Sequence, residues 1–181
     1  MEVNVTAKHN LRWKYLIYDS GNEMHNNFER ILKTFAKLKD KEVFLYLIIL
    51  CENTNKDLDV RNKAIDYEIA EQIIFLWPVD PGVEWSYYSQ SAGVVFSSIY
   101  ESFPFHFSKA MSYNTPILAN DIPAIRDVMW RSIDYLDPLS INNITDTIAH
   151  KMSFPDTPNY SQVRTNFNSQ KSAFELHRII E

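Results

Sequence analysis

The segment 43–50, Val-Phe-Leu-Tyr-Leu-Ile-Ile-Leu, constrains the fold more than any other part of the chain. It is apolar at every position, yet far shorter than the roughly 20 residues that span a bilayer. It therefore predicts a strand that is buried on both faces. Strands of this kind occur in parallel sheets covered by helices on both sides.

Similar short apolar runs alternate with helical patterns along the chain. Strands are predicted at 15–18, 43–50, 73–77, 93–98, 116–119 and 133–136. Helices are predicted at 28–38, 61–72, 83–91, 103–113, 122–129 (opened by Asp121 and Pro123) and 141–152 (capped by Ser140), with a polar loop at 52–58. The segment 160–180 is predicted to be one long terminal helix or a pair of helices. This order predicts an α/β fold, a Rossmann-like doubly wound and mostly parallel sheet, with ligands beyond the carboxyl ends of the strands. We expect one domain over 13–181, with 1–12 as a linker or tail.

Composition excludes several classes of protein. The 181 residues include three glycines, Gly21, Gly82 and Gly93, which are too far apart for a dinucleotide fingerprint or a P-loop. A net charge of −5, with acids and bases interspersed, argues against a nucleic-acid partner. We also expect no transmembrane segment, because no apolar run approaches the required length.

The sequence gives little support for a metal site, a catalytic cysteine or a phosphate-accepting receiver domain. The five histidines show no metal-ligand spacing, so we expect no metal. Cys51 is the single cysteine; it fits a small core residue in a reducing, cytoplasmic compartment. A receiver domain needs several acids at strand ends, and Asp19 is the only acid directly after the first strand.

The stretch after the fourth strand carries the most informative residues. It runs Ser-Ser-Ile-Tyr-Glu-Ser-Phe, so Glu101 stands between a buried strand and a helix. A strand end beside a helix start offers backbone donors to phosphate, and a carboxylate there accepts hydrogen bonds from sugar hydroxyls. Alternatively, Glu101 is an acid favoured at the start of a helix by the helix dipole.

With these residues in place, the chain resembles the C-terminal, nucleotide-sugar-binding domain of group 1 (family 4) retaining glycosyltransferases with the GT-B fold. The usual pattern there is Ser-x-x-Glu-Gly-Phe-Gly-x-x-x-x-Glu-Ala-Met-Ala-x-Gly-x-Pro-Val. The positions that match in register are Ser98, Glu101, Phe103, Ala110, Met111 and Pro116. The resemblance extends over about 13–181, which includes the segment 121–128 and Asp137-Pro138.

The resemblance implies a donor site for a nucleoside-diphosphate sugar, with no metal or other cofactor. Glu101 is then the catalytic residue, in contact with the donor sugar. The donor-binding residues are Ser20, Gly21, Asn26, Trp77, Val79, Ser102, Phe103 and Lys109. Of these, Trp77 and Val79 are expected near the base and the others near the phosphates.

The chain departs from the family pattern at this site. The second conserved glutamate is replaced by Lys109, and Gly-Phe-Gly by Ser-Phe-Pro at 102–104. Ser20-Gly21 stands where the family has Gly-Arg, and Asn26 where it has a lysine. Lys109 and His25 are candidates to replace the missing cations, although Lys109 also fits a solvated helix residue.

Enzymes of this fold use two domains, and the resemblance covers only the second. It implies a missing N-terminal acceptor domain or a separate protein partner. Val163, Phe167 and Phe174 form an apolar line that either docks on such a partner or packs on this domain's own sheet. Two functions remain open: the donor-binding domain of a glycosyltransferase, and a catalytically inactive glycosyltransferase-like binding or assembly subunit.

Overall fold

A computed structural model describes residues 2–19, 27–50, 54–76, 78–100 and 107–166 of the chain. Within these ranges the strands form one all-parallel sheet of six, in the order β3-β2-β1-β4-β5-β6. The strands are β1 (Tyr15–Asp19), β2 (Tyr46–Leu50), β3 (Ile73–Leu76), β4 (Gly93–Phe96), β5 (Ile117–Asn120) and β6 (Asp134–Leu136). The predicted Rossmann-like α/β fold is confirmed.

Helices cover both faces of this sheet. They are α1 (Val5–Lys8), α2 (Phe28–Asp40), α3 (Thr54–Asp66), α4 (Pro81–Gln90), α5 (Phe107–Ser112), α6 (Pro123–Met129), α7 (Ile141–Ser153) and α8 (Ser161–Asn166). A short 3₁₀ helix, Ala70–Gln72, precedes β3.

Two apolar layers hold the domain together. Leu16 and Tyr18 of β1 face the layer formed with α2, α3 and α7, while Tyr15 and Ile17 face the layer formed with the remaining helices. Every residue of β1 is buried, since successive side chains of a strand point to opposite faces and both faces are covered.

Most predicted elements are present, with small shifts at their ends; of the predicted terminal segment 160–180, residues 167–180 lie outside the described ranges. The predicted apolar face of α2 is buried, and the Ser140 hydroxyl caps α7 by accepting from the Asn143 amide at 3.2 Å. Strand β2 begins at Tyr46 rather than at residue 43, because the Val43 amide donates to the Leu38 carbonyl and closes the end of α2. At α6, Asp121 forms an ion pair with Arg126 instead of capping the helix.

The prediction was wrong around α3. Residues 52–58 were expected to be a loop, but the helix already begins at Thr54; it ends at Asp66 rather than at residue 72. Among the helix residues whose side chains the structure describes, only Val60 and Ala64 are buried. A helix with so narrow an apolar face has little hydrophobic periodicity in its sequence.

The N-terminal segment differs from the expected linker or tail. Its α1 lies against α4, and the Gln90 side chain holds the segment at two points: its Oε1 accepts from the Val5 amide at 3.1 Å, and its Nε2 donates to the Val3 carbonyl at 2.7 Å. Val5 itself is fully buried. Residues 2–9 are therefore packed on the domain.

The entry into β4 leaves no room for a side chain. A Cβ on Gly93 would lie 2.8 Å from Leu118 Cδ1 and 3.2 Å from the Pro116 carbonyl. Glycine at this position allows β4 to lie between β1 and β5.

In the described part of the chain, no helix combines the length and hydrophobicity needed to cross a membrane.

Gln90→Ala should lower the free energy of unfolding by about 1–3 kcal/mol, because two net hydrogen bonds are lost at about 0.5–1.5 kcal/mol each. Urea unfolding followed by circular dichroism measures this loss. Ser89→Ala is the control on the same helix, since Ser89 is exposed, and should change the free energy little. Equal stability of the two variants would show that the Gln90 contacts do not hold the segment.

His9 links the N-terminal segment to Tyr87, whose hydroxyl lies 3.0 Å from His9 Nε2. Burial lowers the pKa of His9, and the charge of Lys8 lowers it further. Neutral His9 therefore contributes stability that is complete above its unfolded pKa of about 6.5 and is lost as the pH falls through the folded pKa. Lys8→Met removes the charge but not the burial, so it should raise the pKa of His9 part of the way toward the unfolded value of about 6.5. An NMR titration of the His9 ring measures this pKa. An unchanged pKa would exclude Lys8 as a cause.

Candidate functional site

The candidate site lies where β1 and β4 meet at the centre of the sheet. The helix after β1 packs on one face, whereas the helix after β4 packs on the other. Connections that diverge in this way open a crevice beyond the carboxyl ends of the two strands, where α/β proteins bind ligands.

Asp19, the last residue of β1, places a carboxylate in this crevice. It is only 7% exposed and accepts a hydrogen bond from the Tyr88 hydroxyl of α4. Burial raises the pKa of Tyr88 well above its usual range, and the charge of Asp19 raises it further. Tyr88 therefore keeps its proton and remains a donor to Asp19.

Lys109 of α5 approaches the same carboxylate. Its Nζ lies 2.8 Å from Glu84 Oε1 and 3.9 Å from Asp19 Oδ2. Burial on its own lowers the pKa of Lys109, but the hydrogen bond that Lys109 donates to Glu84 and the charge of Asp19 outweigh this effect, and the pKa is raised. We call Asp19, Glu84, Tyr88 and Lys109 the Asp19 cluster.

The chain leaving β4 is held by both neighbouring strands. The Ser97 hydroxyl lies 2.8 Å from the Tyr18 hydroxyl of β1. The side-chain amide of Asn120, on β5, donates through Nδ2 to the Ser97 carbonyl at 2.5 Å and to the Ser98 carbonyl at 3.1 Å. Asn120 is fully buried, so these bonds fix the backbone shortly before Glu101 in the sequence.

Two of the predicted site residues lie in the described part of the chain. Val79 is half-buried between β3 and α4, against the layer that contains Tyr88. Lys109 is paired with carboxylates as described above. The other predicted residues lie outside the described ranges: Ser20, Gly21, Asn26, Trp77, Glu101, Ser102 and Phe103.

The predicted docking line is only partly visible. Val163 is 2% exposed and packs into the domain's own core, so it is not available to a partner. Phe167 and Phe174 lie outside the described residues.

The sequence singled out none of the partners of Lys109 as site residues. Asp19 carried a usable signal, a charged residue at the end of an apolar strand. Glu84, Tyr88 and Asn120 carried none, because their approach depends on how helices and strands pack. Across the described ranges, the structure brings together no group of three or more His, Cys, Asp or Glu side chains suited to a metal ion.

Comparison with known proteins gives matches in sequence. The family model described as glycosyl transferases group 1 matches residues 7–131. The O-antigen chain mannosyltransferase RfbU of Salmonella typhimurium is 28% identical over 132 residues, which are 73% of this chain and 36% of that protein. The chain thus spans about a third of the length of this curated relative.

Solved structures share the fold. Sucrose-phosphate synthase from Thermosynechococcus elongatus superimposes with a TM-score of 0.79 at 16% identity, over 97% of this chain and 47% of that one. The C-terminal domain of a glycosyl transferase group 1 family protein, LpcC, from Francisella tularensis superimposes with a TM-score of 0.66 at 19% identity, over 90% and 87% of the two chains. At these identities the similarity concerns the fold.

Tyr88→Phe should lower the free energy of unfolding by about 1.5–3 kcal/mol, because a buried carboxylate loses a hydrogen-bond donor. Thermal and urea unfolding measure the change. Tyr113→Phe is the matched control: its ring lies 5.6 Å from that of Tyr88, but its side chain is exposed. If both variants unfold like the parent, Tyr88 does not stabilise Asp19.

Proposed function

The chain belongs to the glycosyl transferases group 1, and from this membership we propose that it is the donor-binding domain of a retaining glycosyltransferase. The donor is a nucleoside-diphosphate sugar, from which a sugar is transferred to an acceptor. The retaining stereochemistry and the class of donor are parts of the proposal.

One observation carries this proposal: the carboxyl ends of β1 and β4 lie side by side at the centre of the sheet. Residues 20–26 follow β1 directly, and Glu101 follows soon after β4. Glu101 would contact the donor sugar. Ser20, Gly21, Asn26, Ser102, Phe103 and Lys109 would line the phosphates, with Trp77 and Val79 near the base.

Hydrogen bonding at the end of β4 supports the role of Glu101. A carboxylate that recognises sugar hydroxyls has to be positioned within a fraction of an ångström. The Tyr18 hydroxyl contacts Ser97, and the Asn120 side chain holds the carbonyls of Ser97 and Ser98, so the backbone is fixed at these two positions. Glu101 follows them in the sequence. No metal or other cofactor is part of the proposal.

We further propose that acceptor binding needs a second domain. The chain matches 36% of the mannosyltransferase and 47% of the sucrose-phosphate synthase, so both relatives are much longer than the part it resembles. The second domain would be joined to this one or supplied by a protein partner.

The single cysteine, Cys51, favours a cytoplasmic location.

A second candidate function is a glycosyltransferase-like binding or assembly subunit without catalysis. The charges of the Asp19 cluster favour it: two carboxylates and one ammonium group give a formal charge of −1 beside the place where phosphates would bind. Like charges oppose the binding of a diphosphate.

Nucleotide binding distinguishes the two functions. Millimolar uridine, guanosine and adenosine diphosphates should be tested in thermal unfolding of the 181-residue chain. If the chain binds a donor, at least one diphosphate should raise the melting temperature. At a concentration a hundredfold above its dissociation constant, the ligand should increase the free energy of unfolding by about 2.7 kcal/mol. The corresponding nucleosides are the control and should have a smaller effect.

The absence of a shift with every diphosphate would overturn the donor-binding proposal and favour the non-catalytic subunit. Glu101→Ala addresses the sugar contact separately. This variant should bind a free diphosphate like the parent but lose the extra affinity for the matching diphosphate sugar. Equal loss for both ligands would contradict a contact with the sugar.

A further inference from the structure

Lys109 is the one cation in the Asp19 cluster, and it already has anionic partners. Its Nζ donates a hydrogen bond to Glu84 at 2.8 Å, while Asp19 stands at the longer distance of 3.9 Å. A phosphate that enters the crevice therefore meets a lysine whose charge is shared with this chain's own carboxylates.

We propose that Glu84 competes with the phosphates of the donor for Lys109, so that Lys109 binds an anionic ligand only after it leaves Glu84. The inference rests on the proposed donor site. It makes Glu84 a residue that sets the affinity for the phosphates without touching the ligand.

Glu84, rather than Asp19, is the competitor because the two carboxylates have different partners. Asp19 is buried and retains the Tyr88 hydroxyl when Lys109 moves. The Glu84 side chain is 23% exposed and can be hydrated when its lysine leaves. The exchange thus breaks one hydrogen-bonded ion pair and leaves no buried charge without a partner.

Lys109 is able to make this exchange. Its side chain is 49% exposed, and a lysine ammonium at the end of a flexible four-carbon stem reorients easily. Glu84 lies in the first turn of α4, and the Lys109 ammonium approaches Asp19 at the end of β1, so both groups lie at the carboxyl edge of the sheet.

The described part of the chain offers a matched pair far from this edge. Lys41 is also 49% exposed and lies 2.6 Å from Asp146 of α7, on the opposite face of the sheet. Asp146→Asn changes the net charge by the same amount as Glu84→Gln. It therefore controls for the overall charge of the protein.

The test compares the affinities of these variants for nucleoside diphosphates. Isothermal titration with uridine, guanosine and adenosine diphosphates should show tighter binding to Glu84→Gln by roughly two- to fivefold, the range expected for a partly exposed ion pair. Asp146→Asn should bind like the parent. The uncharged nucleosides should bind all three proteins equally.

A double variant tests whether Glu84 acts through Lys109. Lys109→Met should weaken diphosphate binding, and adding Glu84→Gln to it should then bring little or no gain. An equal gain with and without Lys109 would overturn the proposal, since Glu84 would then act only through its electrostatic field. Circular dichroism confirms that each variant is folded.

Two further results are distinguishable. Diphosphate binding to the parent that Glu84→Gln leaves unchanged or weakens would overturn the competition but leave the donor site standing. No diphosphate binding to the parent or to Glu84→Gln would overturn both the competition and the donor-binding proposal.

Discussion

The pairing of β1 with β4 lies at the centre of the sheet and determines where the helical layers and the crevice lie. Leu16, Ile17 and Tyr18 lie opposite Gly93, Val94 and Val95 in parallel register, and this pairing joins the β1–β3 half of the sheet to the β4–β6 half. Both strands are apolar on both faces, so each half contributes to two helical layers. Because the chain departs in opposite directions from these strands, the same pairing also opens the crevice.

A buried charge at this crevice has to be satisfied by the elements around it. Removing a carboxylate from water is unfavourable unless hydrogen bonds and opposite charge replace the lost hydration. At Asp19 the replacement comes from Tyr88 and Lys109, which lie on two different helices. The position of α4 and α5 is thus coupled to the end of β1, and α4 in turn binds the N-terminal segment through Gln90.

The sequence predicted the fold well because burial on both faces leaves a direct trace. Five consecutive apolar residues at 46–50 predict a buried strand without any knowledge of the elements that pack against it. Helix α3 was predicted poorly because, among its residues with described side chains, only Val60 and Ala64 are buried, and its sequence resembles that of a loop. At the site, the pattern around Glu101 suggested where ligands bind, but contacts between Glu84 and Lys109 follow from helix placement. Such contacts leave no spacing in the sequence.

The replacement of the family's second glutamate by Lys109 takes on a physical meaning once Glu84 and Asp19 are placed beside it. A lysine introduced alone would add a positive charge to the crevice and would strengthen phosphate binding. Here the lysine is neutralised by Glu84, and Asp19 leaves the cluster with a formal excess of negative charge. In the proposed donor site, Lys109 would therefore bind a phosphate only after its ion pair with Glu84 opens. The affinity of the proposed donor site for phosphate thus depends on the relative strength of two contacts of one ammonium group, one with Glu84 and the other with a phosphate.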